Sequence, residues 1–115
     1  HLDYIARYIP ANSYTYNWHD FNDLICLILK TIIEQGKGIE INTAGLKYGM
    51  PEPNPCLDIV KMYNDLGGEI ITVGSDAHEV KYFAYRFDVV AEMLKNAGFN
   101  YYTIFNERKP EFIRL

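Results

Sequence analysis

The sequence predicts an α/β fold in which parallel strands alternate with helices. Three observations predict it. Apolar residues recur at helical spacing across residues 21–33. Residues 69–73 (Glu69-Ile70-Ile71-Thr72-Val73) form a nearly continuous apolar run of the kind buried parallel strands require. Helical and strand patterns then alternate along the chain, as in units built on a parallel sheet.

The elements follow in order. The start is short and apolar, then Pro10, Asn12, Ser13 and a polar-aromatic run with Tyr14, Tyr16 and Trp18 read as a loop. Asp20 is placed to cap a helix whose apolar positions are Phe21, Leu24, Ile25, Ile28, Leu29, Ile32 and Ile33, and Gly36 closes it in the left-handed C′ position. Gly38-Ile39-Glu40-Ile41-Asn42 is short and β-branched, hence a strand. Residues 43–55, with Gly45, Gly49, Pro51, Pro53 and Pro55, form a loop. Pro55 opens a second helix at its first turn, supported by Leu57, Ile59, Val60, Met62, Tyr63 and Leu66 and ended by Gly67-Gly68. After the strand at 69–73 and an irregular stretch at 79–84, a third helix spans 87–96 with Val89, Val90, Met93 and Leu94 inward. The tail alternates around Asn106-Glu107-Arg108-Lys109-Pro110, the pattern of a terminal strand or hairpin.

Bulk properties narrow the function. The 115 residues are 49% hydrophobic and 23% charged, the balance of a folded soluble domain, and the net charge of −4 leaves no basic footprint for nucleic acid or an anionic membrane. The longest apolar run, residues 24–29, is too short to cross a bilayer, and no leader pattern opens the chain. Cys26 and Cys56 lie in different elements without metal-type spacing, so half-buried reduced thiols of a cytoplasmic protein are expected. The chain opens His1-Leu2-Asp3 without methionine, and is expected to be a piece of something longer.

In either an open doubly wound sheet or a β/α barrel, ligands gather at the C-terminal ends of the strands. Polar groups fall at three such ends: Asn42, the pair Asp76 and His78, and His1-Leu2-Asp3. In Gly74-Ser75-Asp76-Ala77-His78, alternate residues of an extended segment share a face, so Asp76 and His78 point to one site, with Gly74-Ser75 allowing a sharp exit from the sheet. Carboxylate plus imidazole suits a divalent Zn, Fe or Mn ion. The competing reading is a loop in which Asp76 caps the next element and His78 is solvated. A catalytic metal needs at least three protein ligands. Besides His78, His1 is the credible histidine, since His19 lies in a polar run before a helix and is expected at the surface. The aromatic residues Tyr14, Tyr16, Trp18, Tyr82, Phe83 and Tyr85 are expected to serve packing.

Four stretches carry a resemblance: His1-Leu2-Asp3 followed by Arg7; Gly38-Ile39-Glu40-Ile41-Asn42-Thr43-Ala44-Gly45-Leu46; Ile71-Thr72-Val73-Gly74-Ser75-Asp76-Ala77-His78; and Phe105-Asn106-Glu107-Arg108-Lys109-Pro110. In this order and spacing the chain resembles the C-terminal region of PHP-family phosphoesterases, closest to the histidinol-phosphate phosphatase branch. The resemblance implies residues 1–115 to be the C-terminal portion of one distorted (β/α)7 barrel domain. A trinuclear site of divalent metal ions would lie at its rim. His1 would match the ligand at the fifth strand, and Asp76 and His78 the last two ligands after the seventh. Arg7 would match an arginine that binds the substrate phosphate, and Asp76 would also serve catalysis. Glu40 and Asn42 would orient ligands rather than bind metal. The family's opening H-x-H motif and its middle-strand Glu and His ligands are absent here, so most of the metal site is too.

The implied activity of the complete enzyme is metal-dependent hydrolysis of L-histidinol phosphate, a step of histidine biosynthesis, with a small phosphorylated substrate as partner and no nucleic acid or membrane. Two alternatives stand beside it. One is another PHP-type phosphoesterase or nuclease. The other is a non-catalytic module that self-associates through exposed sheet edges, in which case this chain alone is inactive.

Overall fold

The computed structural model describes residues 1–10 and 16–115. It is a mixed α/β structure with helices α1 (Asn22–Glu34), α2 (Ala44–Lys47), α3 (Leu57–Asp65) and α4 (Phe87–Asn96). The strands are β1 (Ile39–Asn42), β2 (Ile71–Gly74), β3 (Tyr101–Asn106) and β4 (Lys109–Arg114). Short 3₁₀ turns cover Tyr4–Tyr8, Trp18–Phe21 and Val80–Tyr82.

Strands β1 and β2 pair in parallel, with Ile39 opposite Ile71 and Asn42 opposite Gly74. Their C-terminal ends therefore lie side by side, and the segment Ser75-Asp76-Ala77-His78 leaves next to Asn42. The tail is an antiparallel hairpin, β3 against β4, turning on Glu107 and Arg108. It forms its own two-stranded ladder rather than extending the parallel pair. Its link to β2 is a side chain: the Ile71 amide donates to Thr103 Oγ1 at 3.2 Å, where a ladder carbonyl would otherwise accept.

The core is Ile25 and Leu29 of α1, Ile41, Ile71, and the inward faces of α3 and α4, closed by Ala97 and Phe99. Tyr63 is its largest fully buried side chain. The Tyr63 hydroxyl donates to the Ile70 carbonyl at 3.0 Å and its ring stacks on Phe99.

Gly36 behaves as expected. With φ at +62° it donates to Ile33, while Lys37 donates back to Ile32, satisfying two carbonyls left over at the end of α1. The ends of α3 and α4 repeat this pattern.

Several sequence expectations are corrected. Asp20 lies in the 3₁₀ turn, and Phe21 holds the cap position of α1 without a side-chain cap. Pro55 precedes α3, which starts at Leu57 behind Cys56. Residues 43–55 are not all loop, because α2 forms at once after β1. Strand β2 begins two residues later than the apolar run, at Ile71, and includes Gly74. Only Ile25 and Leu29 of α1 are buried, whereas Leu24 and Leu27 remain 56% and 62% exposed. Trp18 packs against the core and Tyr16 stacks on Phe21, but Phe83 projects into solvent. Tyr14, Asn12 and Ser13 lie outside the described residues. Among the described residues, no helix is long and apolar enough to cross a membrane.

Candidate active site

The candidate site is built from three segments: the turn after β2, the β1–α2 junction, and the N-terminal 3₁₀ turn. After Gly74 the chain turns on Asp76, whose φ of +45° is in the left-handed region. Asparagine and aspartate tolerate that region better than other residues with a side chain, but it is an uncommon conformation that neighbours must hold. The sharp turn therefore falls on Asp76 itself and not on Gly74-Ser75. Gly74 has a different function: a Cβ there would come within 2.7 Å of Glu40 Oε2, so the bare backbone lets the Glu40 carboxylate lie against β2.

Asp76 and His78 come together as expected. His78 Nε2 lies 3.3 Å from Asp76 Oδ1, and both side chains face solvent. A carboxylate and an imidazole at this separation are of the right kind for a divalent ion. They are two donors, however, and among the described residues no group of three His, Cys, Asp or Glu could hold a metal. His1 is exposed, with its ring edge-on to Tyr4 at 4.5 Å between centroids, and does not complete the set. His19 is exposed and its ring lies tilted against Trp18. The two cysteines are free and half-buried. Burial pushes the Cys56 thiol up to about 11, so it is protonated near neutral pH.

Arg7 is held flat. Its Nη1 donates to the Tyr4 hydroxyl at 2.7 Å, and its guanidinium carbon lies 3.5 Å from the centre of the Tyr48 ring. It borders an open hollow of about 600 Å³ that also takes in Asp3, Trp18, Tyr48 and Cys56. Asp76 and His78 do not line that hollow. The link between the two is the end of α2: Lys47 Nζ donates to the Asp76 carbonyl at 3.1 Å, while the next residue, Tyr48, lies under Arg7. Periodicity does not reveal α2, a single turn, and no sequence signal marked Lys47 or Tyr48.

Asn42 and Glu40 hydrogen-bond to each other and to the start of α2. Asn42 Oδ1 accepts from the Ala44 amide at 2.9 Å, capping the turn into α2, and its Nδ2 donates to Glu40 Oε1 at 2.8 Å. Asp3 is 3% exposed and accepts from Asn54 Nδ2 and the Cys56 amide, both at 2.8 Å. Its partners, 51 and 53 positions away, could not be read from the sequence.

No family model matches the chain. Individual proteins do. A probable histidinol-phosphatase of Thermotoga maritima is 45% identical over 105 residues, which are 90% of this chain and 42% of that protein. A probable histidinol-phosphatase of Clostridium acetobutylicum is 33% identical over 98 residues, 85% of this chain and 38% of the relative. Among solved structures, the histidinol phosphate phosphatase of Lactococcus lactis, crystallised with Zn, L-histidinol and phosphate, superposes with a TM-score of 0.72 at 26% identity. That match covers 96% of this chain and 42% of the other. Along nearly its whole length, the chain is therefore similar in sequence and in fold to histidinol-phosphatases, of which it spans about two fifths.

Proposed function

We propose that this chain is the C-terminal portion of a PHP-type (β/α)7 barrel, and that the complete enzyme hydrolyses L-histidinol phosphate with divalent metal ions. The observation that carries the reading is the Asp76–His78 pair. It sits at the C-terminal end of a parallel strand, on a residue held in a left-handed conformation, in a chain 45% identical to a probable histidinol-phosphatase. The zinc, histidinol and phosphate bound by the Lactococcus structure support the choice of substrate and metal class.

In this reading Asp76 and His78 are metal ligands, His1, which forms no three-residue ligand group with them in this structure, is a further ligand of the centre, and the remaining ligands come from outside these 115 residues. Bound divalent ions supply Lewis-acid charge and a water of lowered pKa. Arg7, stacked on Tyr48, presents a planar donor array suited to a phosphate. The test is a comparison of kcat/KM for L-histidinol phosphate, a nucleoside monophosphate and a short oligonucleotide in the full-length protein. A clear preference for histidinol phosphate is expected, and a preference for either nucleotide substrate refutes the assignment.

A second reading concerns the chain by itself. Leu24 and Leu27 on α1 and Val80 and Phe83 beyond the His78 turn are large apolar side chains left to solvent. Surfaces of this kind are usually covered by another chain or segment. The isolated 115-residue chain is expected to self-associate and to lack phosphatase activity. Light scattering that returns a clean monomer refutes the first expectation, and metal-dependent turnover refutes the second.

A further inference from the structure

A buried carboxylate outside the metal pair calls for an explanation. Removing a charge from water is unfavourable unless the group is fully hydrogen-bonded. Asp3 meets that condition, with Oδ1 taking the Asn54 side-chain amide and Oδ2 the Cys56 backbone amide. Asn54 is buried too, and its backbone exchanges both hydrogen bonds with Asn42, at 2.7 and 3.0 Å. Gly45 makes room for it, since a Cβ there would come within 2.8 Å of Asn54 Oδ1. From Asn42 the chain of contacts goes on. The next residue, Thr43, donates its amide to the Gly74 carbonyl at 2.9 Å, two residues before Asp76.

Short polar contacts thus run without a break from the segment carrying His1 and Arg7 to the exit of β2. Asp3 is the link on the N-terminal side, two residues from His1 and four from Arg7. We propose that Asp3, through Asn54, is a positioning residue that sets the N-terminal segment in register with the Asp76–His78 turn. This rests on the reading of His1, Arg7, Asp76 and His78 as site residues. Polar groups that hold ligands in place without touching the metal commonly alter affinity or activity by about 10- to 100-fold when replaced.

The experiment uses the full-length protein and three readouts: Zn²⁺ affinity by competition with a chelating dye, deuterium exchange at the Cys56 amide in the metal-free protein, and kcat/KM on L-histidinol phosphate. Asp3→Asn puts a donor where two donors already point. It is expected to weaken Zn²⁺ binding and lower kcat/KM, each by about 10- to 100-fold, and to speed exchange at Cys56. Combining Asp3→Asn with Asn54→Asp reverses the side-chain pair and leaves an acceptor for the Cys56 amide. All three readouts are expected to return close to wild type. Wild-type affinity and protection in Asp3→Asn alone overturn the proposal. So does a reversed pair that fails to recover, or fails to fold, because Asp3 then acts by its own charge and not through Asn54. A wild-type enzyme that leaves histidinol phosphate intact refutes the proposed substrate, while Zn²⁺ affinity and Cys56 exchange still report on Asp3.

Discussion

In the full-length protein, on the proposed reading of the site, Asp76→Asn is expected to lower kcat on L-histidinol phosphate by on the order of a thousandfold, within the range lost when a group essential to proton or charge management is removed. The substitution is informative because of the backbone. Asp76 sits at φ +45°, where most side chains are strained, and asparagine is the replacement that best tolerates that region. The turn should persist, with Lys47 still donating to the carbonyl at position 76. What is lost is the carboxylate charge beside His78 Nε2. Steady-state kinetics together with metal content by plasma emission check the result. Near-normal turnover with a full metal complement would remove Asp76 from the mechanism. Asp76→Ala is the poorer probe, because it adds backbone strain to the chemical loss.

The largest effect on stability is expected at Tyr63. On α3, its ring is fully buried and stacks on Phe99, and it packs so closely on Gly68 that a Cβ there would overlap the ring. Tyr63→Ala empties this volume and is expected to cost about 3–5 kcal/mol, as aromatic truncations in cores do. Against a typical total of about 5–15 kcal/mol for a domain, that leaves little margin. Tyr63→Phe keeps the ring and removes only the bond to the Ile70 carbonyl, which also accepts from the Ile39 amide. Its expected cost is about 1 kcal/mol. Denaturant unfolding of both variants separates packing from hydrogen bonding, and a Tyr63→Ala protein within about 1 kcal/mol of wild type would show that the ring does not organise the core.

Local patterns were legible where one segment supplies its own signal. The apolar run before Gly74, the spacing in α4 and the turn residues of the β3–β4 hairpin each depend on neighbours a few positions apart. The pairing of Asp76 with His78 was expected because they stand two positions apart, but the extended geometry assumed for it is not what forms: the chain turns at Asp76, and the turn brings the two side chains together. Leu24 shows where such reading fails. Helical spacing marked it as an apolar position of α1, but whether an apolar position is covered depends on what packs there, and it stays largely open to solvent in this chain.

By itself, then, the sequence determined the alternation of helices and strands, the Asp76–His78 pair and the resemblance to a phosphatase family, all of them carried by short-range order along the chain. Only the tertiary structure decided that the turn falls on Asp76 and that Tyr48 lies beneath Arg7. It alone decided that Asp3 reaches Asn54 across 51 positions. Those contacts depend on how distant segments close on one another, and Asp3, being buried, must find hydrogen-bond partners wherever the fold brings them.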